Sequence, residues 1–316
     1  MMAHIREKIE RLFFEKKAGY ETSQERLEDR FLMGECLLEM KKNIWRTAPF
    51  VPESWDEFGF KVFSQSNEDG LIQYLINQVD IPNKTFIEFG VENYTECNTK
   101  FLLLHNNWSG YVMDGSINNM ETLKKNTIYW QHDIVAKGVF ITKENINELI
   151  AERGFDEEVG ILSIDIDGND YWVWDAINCI KPCIVIVEYN HIYGPNAKIS
   201  IPYKSDFYRT DAHFSNLYWG ASLGAYVHLG KKKGYDLVCI NQLGHNAFFV
   251  REDLRGNLPA VSIAAAWREA KYRESRDENG NLTFLSRHDG LKLIENEMVI
   301  DVTDGNLKKI GECPCW

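Results

Sequence analysis

Residues 84–99 (KTFIEFGVENYTECNT) constrain this chain more than any other stretch. Thr85 to Phe89 reads as a buried strand, Gly90 as the turn beyond it, and Asn98 onward as the start of a helix carrying Phe101, Leu102, Leu103 and Leu104. Strand, glycine turn and helix form the usual entrance to a nucleotide-type site. The turn holds one glycine, so it is not the G-x-G-x-x-G that lets a pyrophosphate approach the backbone and dock on a helix N-terminus. It carries instead Glu88 inside the strand and Glu92 just past it. Two carboxylates there repel a diphosphate and suit a ligand with a cationic centre, of which S-adenosylmethionine is an example.

The same grammar recurs downstream. Residues 110–116 (GYVMDGS) are a second short apolar run ending in an acid, and Asp114 lies 24 residues beyond Gly90. That is close to the roughly 20 residues at which a Rossmann unit delivers an acid to the ribose hydroxyls. Residues 127–134 read as a third strand with Asp133 at its end, where an acid can meet an adenine amino group. Residues 160–168 (GILSIDIDG) are the central buried strand; Asp165 and Asp167, two apart, fall on one side at its carboxyl end. Residues 182–190 are the next buried strand, again polar at its end with Glu188 and Asn190. Carboxylates clustered on one buried face are costly unless a metal, an arginine or a cationic cofactor compensates them.

Helices are expected between these runs, at 71–78, 119–126, 142–154, 171–177 and 221–234. Ser66 and Asp69 have capping-box spacing before the first of them, and Gln65 and Asn67 are expected at the mouth of the cofactor site. Strands at 235–240 and 246–251 have no helix between them, so the last must run antiparallel. Residues 3–46 carry apolar positions at helical spacing (Ile5, Ile9, Leu12 and Phe13, then Leu27, Phe31 and Leu38) split near Gly19. Two amphipathic helices follow, suited to covering a sheet edge, to a homo-oligomer contact or to gating. Residues 191–220, rich in Tyr193, Tyr203, Tyr208, Arg209, His213 and Trp219, read as a lid that shapes the acceptor pocket. The tail from 259 shows a charged helix at 263–273, a turn at 277–280 and a strand at 298–302, with no chemistry assignable. The expected division is thus a helical N-terminal extension at 1–58, a cofactor-binding domain at 59–258 and a C-terminal extension at 259–316.

Composition narrows the partners. With 316 residues, 44% hydrophobic and 13% aromatic, the chain can build one large α/β domain with appendages. A net charge of −12 argues against a nucleic-acid backbone and for a small molecule or glycan. No apolar run approaches the roughly 20 residues that span a bilayer, and no signal-type segment is evident, so a cytoplasmic location is expected. Seven dispersed cysteines without a C-x-x-C pair read as reduced thiols.

Taken together, six strands alternating with helices and a final antiparallel strand look like the class I S-adenosylmethionine-dependent methyltransferase fold. Within it the chain resembles the FkbM-type methyltransferases, through FSQSNEDG at 63–70, FIEFGVEN at 86–93, GYVMDGS at 110–116, LSIDIDGNDY at 162–171, VEYN at 187–190 and NAFFV at 246–250. The resemblance covers about residues 60–252 and implies a seven-stranded Rossmann-like sheet, S-adenosylmethionine as cofactor, and methylation of hydroxyls on sugars or natural products. It assigns Glu88 and Gly90 to the first cofactor motif, Asp114 to the ribose, Asp133 to the adenine and Asp165 to the methionine side. Gln65, Asn67, Asn98, Gly115 and Ser116 complete the expected cofactor set. The first motif departs from the multi-glycine form, with Val91, Glu92 and Asn93 where glycines often stand.

For removal of the acceptor proton the residues leave two routes open. Asp165, Asp167, Glu188 and Asn190 would make an all-oxygen Mg²⁺ site. Alternatively His191, His245 or Asp167 acts as a direct base. Two other functions compete: Asp165-Ile166-Asp167 is also the D-x-D of nucleotide-sugar glycosyltransferases, and a degenerate fold could serve as a non-catalytic binding module.

Overall fold

The strands of the main sheet are β1 Thr85–Phe89, β2 Ser109–Asp114, β3 Ile134–Gly138, β4 Ile161–Ile164, β5 Ile184–Glu188, β7 Tyr235–Ile240 and β8 Asn246–Arg251. A computed structural model describes residues 23–316 and arranges them in the order β3-β2-β1-β4-β5-β8-β7. The five strands β1 to β5 pair in parallel, whereas β8 runs antiparallel to both β5 and β7. This is a Rossmann-like, doubly wound sheet, mostly parallel with the last strand antiparallel, as the sequence predicts. Chain order reverses on either side of β1 and β4, and such a switch point opens a crevice beyond the carboxyl ends of the strands.

Near-continuous apolar runs make these strands buried on both faces. Phe86, Ile87, Phe89, Ile161, Leu162, Ile184 to Val187 and Ala247 to Val250 are all almost wholly inaccessible. The exceptions within them, Glu88 and Ser163, lie side by side in the β1–β4 ladder.

Gly90 explains how closely the two central strand ends approach. Its φ is +71°, and a Cβ built there would sit 1.5 Å from the carbonyl oxygen of Asp165. Only glycine lets the turn after β1 lie against the end of β4.

The helix Ser23–Thr47 packs Leu38 into a small apolar cluster with Phe60, Val62, Phe63 and Phe101, and Arg30 donates to the Val62 carbonyl. Each such burial contributes roughly 1.5–3 kcal/mol. The helix expected around Ile5 to Phe13 lies outside the described residues. A second sheet joins β6 Ile199–Ser200 to β9 Met298–Asp301 and β10 Leu307–Lys309. Its apolar cluster unites Ile192, Tyr193, Ile199 and Leu217 with Leu291, Ile294, Val299 and Ile310, so the tail is folded onto both ends of the 191–220 segment.

Three local expectations are corrected. Residues 127–134 are not a strand: Thr127–Gln131 is a helical turn whose Asn126 side chain accepts from the Ile128 amide, and β3 begins only at Ile134. The 263–273 helix stops at Ala266. The Ser66–Asp69 capping box does not form, because Asp69 turns back to accept from the amides of Val62, Phe63 and Ser64 at 2.7, 2.8 and 2.9 Å.

Gly90→Ala should therefore destabilise the fold by at least about 3 kcal/mol, combining positive-φ strain with a backbone clash. Gly220→Ala, with a similar φ of +62° but open space around it, should cost only about 1 kcal/mol. Urea midpoints of the two variants compare the terms directly.

Candidate functional site

A cleft of about 790 Å³ opens beyond the carboxyl ends of β1, β2, β4 and β5. It is within the size range of small-molecule and cofactor sites. Its lining carries eight carboxylates (Glu88, Glu92, Glu96, Asp114, Asp165, Asp167, Glu188 and Glu274) against two cations, Arg209 and Arg276. That balance favours a cationic ligand.

From β1, the Glu88 carboxylate accepts from the amides of Asn98 and Thr99 at 2.8 and 3.1 Å and from the Thr99 hydroxyl at 2.5 Å. It thereby closes the N-terminus of the helix Lys100–Asn106. Burial pushes its pKa up to about 7, against the downward pull of these donors. From β2, Asp114 accepts from the Glu92 amide at 2.8 Å and the Ser116 amide at 2.7 Å. The Ser116 hydroxyl then caps the helix Ile117–Lys124. Beyond β3 the wall turns apolar, with Val139, Phe140 and Ile141; the Phe140 ring stacks on Tyr208 with centroids 5.4 Å apart.

Past β4 the chain turns sharply, with Asp167 in the left-handed region at φ +56°. Asp170 holds the turn by accepting from the amides of Ile166 and Gly168, both at 2.8 Å. The outcome is that Asp165, Asp167 and Glu188 each bring an oxygen within 4.8 Å of the others. Burial first, and then mutual repulsion, pushes the Asp165 and Glu188 carboxyls well above the usual range. Arg209, carried by the short helix Arg209–Ala212, approaches the same cluster with Nη1 2.8 Å from Asp167. Its guanidinium also lies over Trp219, 4.7 Å from the ring centroid. Glu188 Oε2 is buried and, among the described residues, has no hydrogen-bond partner.

The cleft thus brings together Gln65, Glu88, Gly90, Asn98, Asp114, Gly115, Ser116, Asp165, Asp167, Glu188, Tyr208 and Arg209 from the sequence-predicted set. The others lie elsewhere. Asp133 precedes β3 instead of ending a strand, so it sits at the opposite rim, 2.8 Å from Arg153. Asn190 is fully committed to the backbone: its oxygen accepts from Ile192, and its amide donates to Leu217 and Trp219. Asn67 accepts from the Gln242 amide. His245 is enclosed by Glu68, Asn241 and Asn246, with its pKa lowered by burial, and His191 is pushed down to about 4 for the same reason. Neither histidine lines the cleft. Tyr193 and Trp219 are buried, Tyr203 reaches Glu144, and His213 pairs with Ser215.

Sequence reading missed Phe140, Asn216, Asn246, Glu274 and Arg276 in the lining, whereas Phe207 comes from the aromatic segment 191–220 expected to shape the pocket. Asn246 faces Glu188 across the β5–β8 ladder, a neighbour visible only once the strands are paired. Phe140 was hidden by the misplaced third strand.

No protein-family model matches the chain, and no curated protein does. Among solved structures it is similar to the N-terminal domain of EvdMO1 with SAH bound, at 8% identity and a TM-score of 0.38, over 67% of this chain and 94% of that one. An O-methyltransferase from Bacillus cereus in complex with SAH gives 12% and 0.37 over 78% and 95%. A SAM-dependent methyltransferase from Aquifex aeolicus gives 7% and 0.35 over 67% and 96%. These similarities are weak, and the functional reading rests on the chain's own residues.

The buried acids give stability a definite pH dependence. Glu88 titrates at about 7 folded against an ordinary 4.5, and Asp69 and Asp170 at about 6 against 3.8. The folded state binds these protons more tightly, so their contribution is complete below the ordinary values and is lost as pH rises through 6 to 7. Denaturation midpoints should fall between about pH 4 and 7 and level off above, and Glu88→Gln should flatten that decline.

Proposed function

We propose that the chain is an S-adenosylmethionine-dependent methyltransferase acting on a hydroxyl of a sugar or natural-product acceptor. The observation that carries the reading is the row of carboxylates, Glu88, Asp114 and Asp165, along the sheet's switch point, beside a glycine turn too poor in glycine for a diphosphate. The cleft residues fit such a cofactor. Asp114, both of whose oxygens accept backbone amides yet retain lone pairs, would take the ribose hydroxyls. Phe140 and Ile141 offer the adenine an apolar wall, and the acids of β1 and β4 favour the cationic end. When bound, S-adenosylmethionine supplies an electrophilic methyl carbon on a sulfonium centre.

The chain's own residues then orient the acceptor and take up its proton. Tyr208 and Arg209 lean over the cleft from the lid side, where they can hold the acceptor in line. Asp165, Asp167 and Glu188 form an all-oxygen set of the kind Mg²⁺ accepts, and the unpartnered Glu188 Oε2 supports a cation there. Such a cation lowers the pKa of a coordinated hydroxyl. Asn190, saturated by backbone groups, is not part of this set. Without a metal, the Asp165–Glu188 pair is itself the best-situated proton acceptor, ahead of His191 and His245 outside the cleft.

Isothermal titration should detect S-adenosylhomocysteine, with Asp114→Ala weakening it tenfold or more, roughly 1.4 kcal/mol or above. Absence of binding ends the methyltransferase reading, and binding of a nucleotide sugar instead would favour the D-x-D glycosyltransferase. Because a cation needs these carboxyls deprotonated, Mg²⁺ should raise the melting temperature more at pH 8 than at pH 6, and not in Glu188→Gln. Full turnover in EDTA would remove the metal and leave the carboxyl pair as base.

A further inference from the structure

The tail, to which the sequence assigned no chemistry, adjoins the mouth of the cleft. A shallow depression of about 520 Å³ is lined by Lys271, Tyr272, Arg273, Glu274, Arg276, Leu282 and Phe284, and it shares Glu274 and Arg276 with the cleft itself. Its charge is opposite to that of the cleft floor. Arg276 is committed to Glu274, with Nη2 at 3.1 Å, but among the described residues neither Lys271 nor Arg273 has an ion-pair partner. Tyr272 and Phe284 stand beside them, about half exposed.

This wall is built, not loose. Ser275, buried, shares a 2.7 Å hydrogen bond with the Thr283 hydroxyl and accepts from the Leu285 amide at 2.9 Å, while its carbonyl accepts from the Thr283 amide at 2.8 Å. Residues 277–281 close the turn through the Asp277 carboxylate, which accepts from the amides of Asn279 and Asn281. The Arg276 amide donates to the Ser215 carbonyl and ties the segment to the lid that carries Arg209. Within this frame Phe284 is held at φ +50°, a conformation rare for a bulky residue and one that persists only where surroundings impose it. The frame therefore presents an aromatic ring and two cations, unpaired among the described residues, at the edge of the cleft.

We propose that residues 271–285 form the acceptor-recognition wall and select a ring-shaped acceptor that carries an anionic group, a carboxylate or a phosphate, near its reacting hydroxyl. The word acceptor rests on the methyltransferase reading; the anion preference rests on the wall alone. A sugar ring would lay its apolar face on Phe284 or Tyr272 while its anion meets Lys271 and Arg273. With a screening length of about 8 Å at physiological salt, the chain's overall negative charge does not cancel this local positive field.

Three probes share one core: 4-nitrophenyl glucoside, the corresponding glucuronide and the glucoside 6-phosphate. Their affinities are measured at 150 mM salt, with and without S-adenosylhomocysteine. At least one charged probe should bind roughly tenfold tighter than the neutral one, and which does so separates carboxylate from phosphate recognition. The double variant Lys271→Glu/Arg273→Glu should remove that preference and leave S-adenosylhomocysteine affinity unchanged. No difference among the three probes, or a preference that survives the double variant, overturns the proposal. Failure of the methyltransferase reading shows separately, as no S-adenosylhomocysteine binding alongside an intact anion preference.

Discussion

Carboxyl groups crowded at one end of a sheet cannot all be buried, ionised and unpaired, and the local structure around the cleft follows from how each is compensated. Glu88 closes a helix N-terminus, Asp114 gathers two loop amides, Asp170 gathers two more, and Asp167 meets Arg209. Each solution also fixes a piece of backbone, so the loops after β1, β2 and β4 are ordered by the charges they carry. The Asp165–Glu188 pair is only partly compensated, by Arg209 and by each other, and burial with repulsion still holds both carboxyls well above the usual range, which is where chemistry is best sought.

The same logic operates next to the cleft, behind Asn246. Asp69 organises residues 62–64 by accepting three amides, and Glu68 accepts from Asn241 at 2.5 Å and Asn246 at 3.1 Å. The N-terminal approach to the sheet is thereby locked to the β7–β8 turn, with His245 walled in behind it. His245 is thus part of a buried polar network and not a group at the cleft, as burial and neighbours of opposite demand would require.

Much of this was legible in the chain. Apolar runs ending in acids announce β1, β2, β4 and β5, because a strand buried on both faces must be apolar and its end must not be. Residues 127–134 misled because Thr, Ile, Tyr and Trp have strand propensity, whereas the Asn126 cap decided the local conformation and moved Asp133 to the far rim. Asn190 and Asn67 looked like site residues because polar groups near strand ends usually are; tertiary backbone partners claimed them first. Asn246, Glu274 and Arg276 were out of reach for another reason: they join the site through strand pairing and a chain reversal that no local pattern encodes.

The place of β8 has a consequence for how the molecule is made. The antiparallel strand does not extend the sheet edge but inserts between β5 and β7, so the outer edge of β5 stays unpaired until residues 246–251 exist. A nascent chain that has only reached residue 220 presents Ile184 to Val187, wholly apolar, as an open edge of the kind that templates aggregation. Closing it requires a contact across about 60 residues, which makes the final step of sheet assembly slow and non-local. Biogenesis of this protein therefore hinges on the interval between synthesis of β5 and arrival of β8, when the sheet is most in need of protection by a chaperone.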